Sequence, residues 1–383
     1  MSLRKGCKIE RIEAIPLSCT LRESFGFSQA WVERRQTVLV KIVTDSGLQG
    51  YGECFGPGPG NREMIEGFFA PILKGQDPQN IEGLWDLMYK RARAAFQSFI
   101  PMTALSGIDI ALWDIKGQIL GMPIFELLGG GYHEKIKAYA TGHYFKKTRS
   151  PEELYSRIIP EALENIKTGF DMLKLKIGLG ILNLGIEKDI ELVQRVREAV
   201  GKEVTLMVDA NYAYDVPTAI FVGKELENAK VFWFEEPIDP IDVEGHKQLK
   251  AAIHVPIAAG ECLATRYSFK DFFVQRAIDI AQPDLCAAGG ITECRKIADM
   301  AKAYHIQFIP HVWGSPVAIT AALHLLASMP KPNLLEFDRS SNPIREEMEK
   351  SLILREGSYV KVPDGPGLGI KIDESSIGKF MVS

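Results

Sequence analysis

The chain has 383 residues, of which 46% are hydrophobic and 25% are charged, and its formal net charge is -4. This length accommodates two domains, or one large barrel with an added module, and it allows a substantial core. The slightly acidic charge excludes the basic surface by which proteins bind nucleic acid or anionic membranes. No segment approaches the roughly 20 apolar residues that a membrane-spanning helix needs. We therefore expect neither nucleic acid nor a membrane as a partner.

The cysteines are scattered along the chain without a CxxC pair, which argues against a disulfide scaffold or a structural zinc site. Residues 1–6 lack the apolar core of a signal peptide. The sequence therefore predicts reduced thiols and a cytoplasmic location. The cysteines are Cys7, Cys19, Cys54, Cys262, Cys286 and Cys294.

Residues 1–131 predict a domain in which strands are followed by helices. Apolar segments with turn residues between them indicate an antiparallel meander of three strands, at residues 9–17, 36–44 and 48–52. From about residue 62 the apolar residues recur at helical spacing, until the glycines at 129–131 end the pattern. This order of elements is typical of an α+β module.

Residues 132–345 predict alternating strands and helices. Short apolar segments are separated by amphipathic ones throughout this part of the chain. Because no GxGxxG loop follows the first apolar segment, the pattern favours a closed (β/α)₈ barrel of the TIM type over a doubly wound sheet. The candidate strands are residues 136–140, 172–177, 204–208, 231–234, 255–259, 278–281, 306–309 and 334–335.

Three further segments lie outside these patterns. Residues 22–29 and 56–61 follow neither the helical nor the strand period, and pattern alone indicates surface loops. Residues 346–383 carry a last strand-like pattern at 359–362, and we expect this tail to pack back on the N-terminal module.

Three carboxylates end three consecutive predicted strands at equal spacing. Asp209, Glu235 and Glu261 are 26 residues apart, and Glu235 directly follows the apolar residues 231–234. A single acidic residue at such a position usually caps the next helix. However, the carboxyl ends of barrel strands converge on one mouth, where three unpaired carboxylates would repel one another strongly. A hard cation with oxygen ligands resolves this repulsion, so we predict Mg²⁺ on these three residues, with Glu236 outside the site.

The other strand ends carry lysines, a histidine and further carboxylates. Lys174 and Lys176 alternate to one face of the second strand, and Asp284, His311 and Glu336 follow the sixth, seventh and eighth. Close to a metal and to each other, at least one lysine should have a depressed pKa and act as a base. Asp284 could orient the imidazole of His311. Such a site suits removal of the α-proton of a carboxylate substrate, followed by racemisation or by loss of a β-hydroxyl.

These residues resemble those of the enolase superfamily, and within it the mandelate racemase group, over essentially the whole chain. The muconate-lactonising and dipeptide-epimerase relatives carry a lysine where this chain has Asp284, so they are disfavoured. The motifs that carry the resemblance are Ala111-Leu112-Trp113-Asp114, Leu127-Leu128-Gly129-Gly130, Lys174-Leu175-Lys176, Asp209-Ala210-Asn211, Glu235-Glu236-Pro237, Gly260-Glu261, Pro283-Asp284, His311 and Glu336-Phe337-Asp338.

The resemblance implies a modified (β/α)₇β barrel and an N-terminal α+β capping domain that the C-terminal tail completes. It also implies that loops at about residues 19–31 and 54–61 close over the site and select the substrate. The implied roles are Mg²⁺ binding by Asp209, Glu235 and Glu261, base catalysis by Lys176, acid or base catalysis by His311 paired to Asp284, enolate stabilisation by Lys174, a hydrogen bond from Glu336 to the substrate carboxylate, and a position near the substrate hydroxyl for Asn211.

We predict that the protein dehydrates an acid sugar to a 2-keto-3-deoxy acid, because members of this group with the full lysine and His–Asp set are frequently such dehydratases. The alternative on the same site is racemisation or epimerisation of a 2-hydroxy acid. A third hypothesis, from another class, is a metal-stabilised barrel without catalysis. The partner is expected to be a small carboxylate, and the protein is expected to be a homo-oligomer.

Several residues near the predicted mouth are candidates for substrate contacts. His143 and Tyr144 follow the first barrel strand, and Trp313 lies close to His311. Three arginines near the first closing loop could meet a second carboxylate, but exposed arginines are usually only solvated, so no diacid is inferred. These arginines are Arg22, Arg34 and Arg35.

Overall fold

The computed structural model describes residues 7–331 and 333–382. The prediction that residues 1–6 form no signal peptide, and the outer limits of the predicted domains at residues 1 and 383, lie outside the described residues. All six cysteines are free thiols. Within the described part of the chain, no helix is both long enough and apolar enough to cross a membrane.

The N-terminal domain is built on an antiparallel sheet of three strands in the order β1-β2-β3. The predicted meander is present, but β1 and β2 continue beyond the predicted ends. After a register shift between Thr20 and Phe25, the two strands pair again, with Phe25 opposite Val32. Backbone pairing and burial of Phe25 outweigh the irregular side-chain pattern, so residues 19–31 are mostly a hairpin rather than a loop. The strands are β1 (Ile9–Phe27), β2 (Ala30–Thr44) and β3 (Gln49–Cys54).

Helices cover this sheet on one side. The longest helix, α4, is buried along most of its length because the sheet and the barrel enclose it. It approaches β3 closely: a Cβ on Gly52 would lie 1.9 Å from the carbonyl oxygen of Gly107, and a Cβ on Gly107 would lie 2.5 Å from Sγ of Cys54, so both positions require glycine. Helix α1 includes the end of the predicted loop at 54–61. The elements are α1 (Gly58–Arg62), a π-helical segment (Glu63–Phe69), α2 (Ala70–Leu73), α3 (Ile81–Phe96), α4 (Met102–Leu120) and α5 (Ile124–Leu127).

The second part of the described chain is a barrel of parallel strands. Strand pairing runs from β11 to β4 and then through β5, β6, β7, β8 and β9 to β10. Several strands are shorter than predicted; β7 covers only two residues, since strong twist in a barrel limits regular pairing. The strands are β4 (Lys135–Thr141), β5 (Met172–Lys176), β6 (Thr205–Asp209), β7 (Phe234–Glu235), β8 (Ile257–Ala259), β9 (Ile280–Ala281), β10 (Gln307–Phe308) and β11 (Leu335–Asp338).

Register between the parallel strands brings the predicted site residues side by side. Lys176 of β5 lies opposite Asp209 of β6, and Asp209 lies opposite Glu235 of β7. Equal spacing along the chain thus becomes lateral proximity across the sheet.

Helices surround the barrel and bury its outer face. Several begin with side-chain caps, for example Ser150, which accepts a hydrogen bond from the backbone of Glu153, and Asp215, which accepts one from Thr218. The helices are α6 (Pro151–Lys167), α7 (Ile186–Val200), α8 (Val216–Asn228), α9 (Val243–Ala252), α10 (Thr265–Val274), α11 (Gly290–Ala303), α12 (Pro316–Ala327) and α13 (Pro343–Leu352).

The C-terminal tail contacts both the barrel and the N-terminal domain. Its strands β12 (Arg355–Glu356) and β13 (Tyr359–Lys361) pair with each other, and β13 also pairs antiparallel with β4. The backbone of Leu368 then donates to Asp114 of α4, 2.9 Å away. Beyond α14 (Glu374–Ile377), the amide of Val382 donates to the carbonyl of Pro16 at 3.1 Å.

Candidate active site

Three carboxylates converge at the mouth of the barrel. Asp209 and Glu235 are the last residues of β6 and β7, and Glu261 follows β8 by two residues. One carboxylate oxygen from each lies within 4.8 Å of the other two. Asp209 and Glu235 are fully buried, whereas Glu261 is half-buried. The structure thus brings together the three residues that the sequence singled out as metal ligands.

The environment of Glu235 is costly for a charged carboxylate. Burial raises its pKa to about 8, although Lys174 opposes the shift. One of its oxygens accepts hydrogen bonds from the side chains of Trp233 and Gln282, each at 2.9 Å. The neighbouring Glu236 accepts from the backbone of Gly260 at 2.7 Å. Positive charge placed among these carboxylates would lower the cost of their ionisation.

The two lysines of β5 lie against the carboxylates. Lys174 contacts Glu235 and lies 2.7 Å from Glu336 and 3.8 Å from Asp209. Lys176 contacts Asp209 directly. The expected depression of a lysine pKa is wrong for this structure: burial lowers both values, but Glu235 outweighs it at Lys174 and Asp209 outweighs it at Lys176, so both are raised. The prediction considers the charges of a metal and of the neighbouring lysine, but not the direct ion pairs that each lysine forms with the carboxylates.

His311 and Asp284 form a pair on the opposite side of the mouth. Nδ1 of His311 lies 2.7 Å from Asp284, whose other oxygen accepts from the backbone of Cys286. The imidazole Nε2 lies 3.6 Å from Glu261. Burial lowers the pKa of His311, but the carboxylates of Glu261 and Glu336 outweigh it and raise the value to about 10. The imidazole is therefore protonated in this arrangement, with Nε2 directed toward the carboxylate cluster.

Glu336 connects the two sides of the mouth. One oxygen pairs with Lys174 at 2.7 Å, and the other accepts from the backbone of Val312 at 3.1 Å. Burial raises its pKa, but Lys174 and His311 outweigh this effect and hold it below the usual value.

Asn211 links a lysine to a carboxylate. Its side-chain oxygen accepts from Lys176 at 2.9 Å, and its side-chain nitrogen donates to Glu261 at 3.1 Å. Asn211 is nearly fully buried. The structure thus brings every predicted site residue to one mouth.

Two of the additional candidates lie differently from expectation. His143 is fully buried; its Nδ1 lies 2.9 Å from the carbonyl of Lys174 and its Nε2 lies 3.2 Å from Asn165. It therefore supports the backbone of β5 rather than facing a substrate. Arg35 is also buried, 3.0 Å from Asp338, with its guanidinium 3.7 Å from the centre of the Trp313 ring. Its charge is paired inside the protein, so it does not supply a second carboxylate site.

Two buried carboxylates that support the mouth are not predictable from the sequence pattern. Asp189 of α7 accepts from the backbone of Gly178 and Leu179, just beyond β5, and from the hydroxyl of Tyr214 beyond β6. Glu53 of β3 accepts from the first turn of α12. The periodicity of helices or strands does not predict either contact, because the partners come together only in the folded chain.

Comparison with known proteins identifies the class to which this capped barrel belongs. Residues 158–376 match the family described as enolase C-terminal domain-like, and residues 13–129 match the mandelate racemase / muconate lactonizing enzyme N-terminal domain. The chain belongs to the enolase superfamily. Within it, the chain is a member of the mandelate racemase and muconate lactonizing enzyme group, which confirms the predicted family.

Relatives that extend along nearly the whole chain are enzymes of acid sugars. D-galactarolactone cycloisomerase of Agrobacterium fabrum is 38% identical over 381 residues, covering 97% of this chain and 98% of that protein. Arabinonate dehydratase of Saccharolobus solfataricus is 36% identical over 347 residues, covering 90% of each. The crystal structure of the 3,6-anhydro-D-galactonate cycloisomerase from Zobellia galactanivorans is 38% identical, with a TM-score of 0.88 over 98% of this chain and 100% of that one. The fold class is confirmed, and the protein is an enzyme, a lyase or an isomerase.

Proposed function

We propose that Asp209, Glu235 and Glu261 bind Mg²⁺. Their carboxylate oxygens lie within 4.8 Å of one another, and Oε2 of Glu261 is buried without a hydrogen-bond partner among the described residues. All-oxygen donors suit a hard divalent cation. When bound, Mg²⁺ would supply positive charge next to the carboxylate of a substrate, which makes the α-proton more acidic.

We propose that the enzyme eliminates a β-oxygen from an acid sugar. Lys176 accepts the α-proton, while Lys174 holds the substrate carboxylate, and Glu336 donates a second hydrogen bond to that carboxylate once it has taken up a proton itself. If Mg²⁺ shared Asp209, the pairing of this carboxylate with Lys176 would weaken, and the pKa of Lys176 would fall toward that of a base. His311, oriented by Asp284, donates a proton to the departing oxygen. The C–H and C–O bonds break, and the resulting enol tautomerises to a 2-keto-3-deoxy acid.

One observation carries this proposal: two proton-transferring groups face the same carboxylate cluster from two sides. Lys176 contacts it at Asp209, and Nε2 of His311 lies 3.6 Å from Glu261. A substrate held between them can lose a proton on one side and an oxygen on the other. Elimination is favoured over racemisation because the relatives described above carry the names of dehydratases and cycloisomerases.

Cycloisomerisation is the second candidate, because two of the relatives, each 38% identical, carry that name. The same elimination opens a ring when the departing oxygen belongs to a lactone or an anhydro ring. The oxygen then stays attached to the product, so the product is an isomer of the substrate. Dehydration instead releases water.

A panel of acid sugars tests the proposal. The protein with Mg²⁺ is incubated in D₂O with linear aldonates and with their lactone and anhydro forms, and products are followed by NMR and mass spectrometry. Apart from deuterium taken up from the solvent, a keto acid one water lighter than the substrate means dehydration, and a keto acid with the composition of the substrate means cycloisomerisation. Deuterium exchange with neither outcome means racemisation, and no change over the whole panel would sink the proposed reaction. Loss of turnover with EDTA, restored by Mg²⁺, tests the metal.

A buried arginine near the first hairpin and two nearby lysines are already paired with carboxylates of the protein. Arg35 is paired with Asp338, and Lys146 and Lys147 lie 3.4 Å and 3.7 Å from glutamates of the hairpin. A second carboxylate of the substrate would compete with these pairs.

A homo-oligomer and a cytoplasmic location stay predictions.

A further inference from the structure

The tip of the β1–β2 hairpin is hydrogen-bonded to the segment that follows β6. Oγ of Ser28 donates to the carbonyl oxygens of Ala210 at 2.7 Å and Asn211 at 3.0 Å. Nε2 of Gln29 donates to the carbonyl oxygens of Asn211 at 2.8 Å and Tyr212 at 3.4 Å. Two side chains of the N-terminal domain thus reach three consecutive carbonyls at the barrel mouth.

Those carbonyls belong to a strained part of the backbone. Asn211 and Tyr212 both have positive φ angles, 43° and 53°, a region that non-glycine residues occupy only when their surroundings hold them there. The side chain of Asn211 bridges Lys176 and Glu261, at 2.9 Å and 3.1 Å. The conformation of Asn211 therefore fixes a contact of the proposed base.

The barrel is shaped to receive the hairpin tip. Gly178, just beyond β5, has φ of +91°, and a Cβ there would lie 2.8 Å from Cβ of Ser28. On the other side of the tip, Gly26 and Phe145 exchange two backbone hydrogen bonds of 2.8 Å. The tip is thus held between the segments that follow β4, β5 and β6.

We propose that Ser28 and Gln29 are positioning residues that hold Asn211 and, through its side chain, align Lys176 for proton abstraction. This inference rests on the proposed function. Toward the barrel both side chains act as donors, so without them the three carbonyls lose partners and the strained segment can relax. A displaced amide at Asn211 would leave Lys176 free to move away from the α-proton, and small displacements of a catalytic group reduce the rate strongly.

Kinetics of hairpin variants test the proposal. Gln29→Glu keeps the shape of the side chain but presents carboxylate oxygens to carbonyl oxygens, and Ser28→Ala removes the hydroxyl. We expect each to lower kcat about 10-fold, with KM changed less than about 3-fold, because contacts to the substrate carboxylate are untouched. Ser28→Thr restores a hydroxyl and should recover most of kcat. Arg22→Gln, at an exposed position of the same hairpin, should match the wild type.

Hydrogen exchange gives a second measurement that needs no substrate. In the Mg²⁺-loaded protein, amides of residues 210–214 should exchange at least about 10-fold faster in Gln29→Glu and Ser28→Ala than in the wild type or Arg22→Gln, at equal global stability. Unchanged exchange in both variants, or a fall in kcat matched by a general loss of stability, would overturn the positioning role. If the wild type turns over no acid sugar, the proposed reaction fails, and this exchange still decides whether the tip holds Asn211.

Discussion

His311 is the residue whose replacement separates the two halves of the proposed reaction. His311→Asn keeps a polar side chain beside Asp284 but removes the group that protonates the departing oxygen. We expect elimination to fall by a factor of about 10² to 10⁴, while Lys176 continues to exchange the α-proton with solvent. In D₂O, NMR should then detect loss of the α-proton signal without keto acid.

A matched variant at the other base completes this test. Lys176→Met should abolish both α-proton exchange and product formation, since Lys174, the other lysine beside Asp209, is engaged by Glu235 and Glu336. An unchanged rate of elimination in His311→Asn would contradict the acid role. Loss of exchange in both variants would mean that the two groups act in one step rather than in sequence.

At the scale of elements, a carboxylate of the N-terminal sheet caps a helix of the barrel. Glu53, in β3, accepts from the backbone amides of Ser315 at 2.9 Å and Ala318 at 3.0 Å, and from the hydroxyls of Ser315 and Thr37. These amides belong to the start of α12, where a helix leaves its donors unpaired and favours negative charge. Burial nevertheless raises the pKa of Glu53.

Replacing Glu53 by glutamine should weaken the interface between the two domains. The side-chain amide of Glu53→Gln places an N–H donor among backbone amides and hydroxyls that already act as donors. We therefore expect the free energy of unfolding to fall by about 1–3 kcal/mol. Urea unfolding measures the change, with Gln49→Ala, at an exposed position of the same strand, as the control. Equal unfolding free energies for the wild type and Glu53→Gln would show that this cap does not stabilise the interface.

At the scale of the whole molecule, a second buried carboxylate makes the joining of the domains dependent on pH. Asp109 of α4 accepts from the backbone of Thr292 in α11 at 3.0 Å, and burial raises its pKa from 3.8 to about 7. The folded protein thus binds this proton more tightly than the unfolded chain. Its contribution to stability is complete below about pH 4 and is lost as the pH rises to about 7, at up to about 1.4 kcal/mol per pH unit.

Asp109→Asn removes this titration. The difference in unfolding free energy between the wild type and Asp109→Asn should therefore change by about 4 kcal/mol, in favour of the variant, between pH 4 and pH 8. Urea unfolding across this range measures it, and Asp86→Asn, an exposed position on α3, controls for loss of surface charge. Parallel stability curves for the wild type and Asp109→Asn would contradict the raised pKa.

Spacing along the chain predicts the residues of the candidate active site, but not the buried residues that hold the surrounding elements in place. Asp209, Glu235 and Glu261 could be grouped because equal steps between parallel strands become neighbouring positions in a barrel. Glu53 could not be foreseen, since its partner Ser315 is distant in sequence and belongs to another domain. The pairing of Phe25 with Val32 is not predictable from the sequence either, because a register shift interrupts the alternating pattern of the hairpin strands.

The return of the C-terminal tail has a consequence for biosynthesis. Leu368 and Val382 bond to Asp114 and Pro16, so the N-terminal domain is completed by residues that are translated after the barrel. During translation this edge of the N-terminal domain stays uncovered until the barrel and then the tail have emerged. Emergence of the tail, rather than of the N-terminal residues, therefore sets the moment at which the enzyme can close.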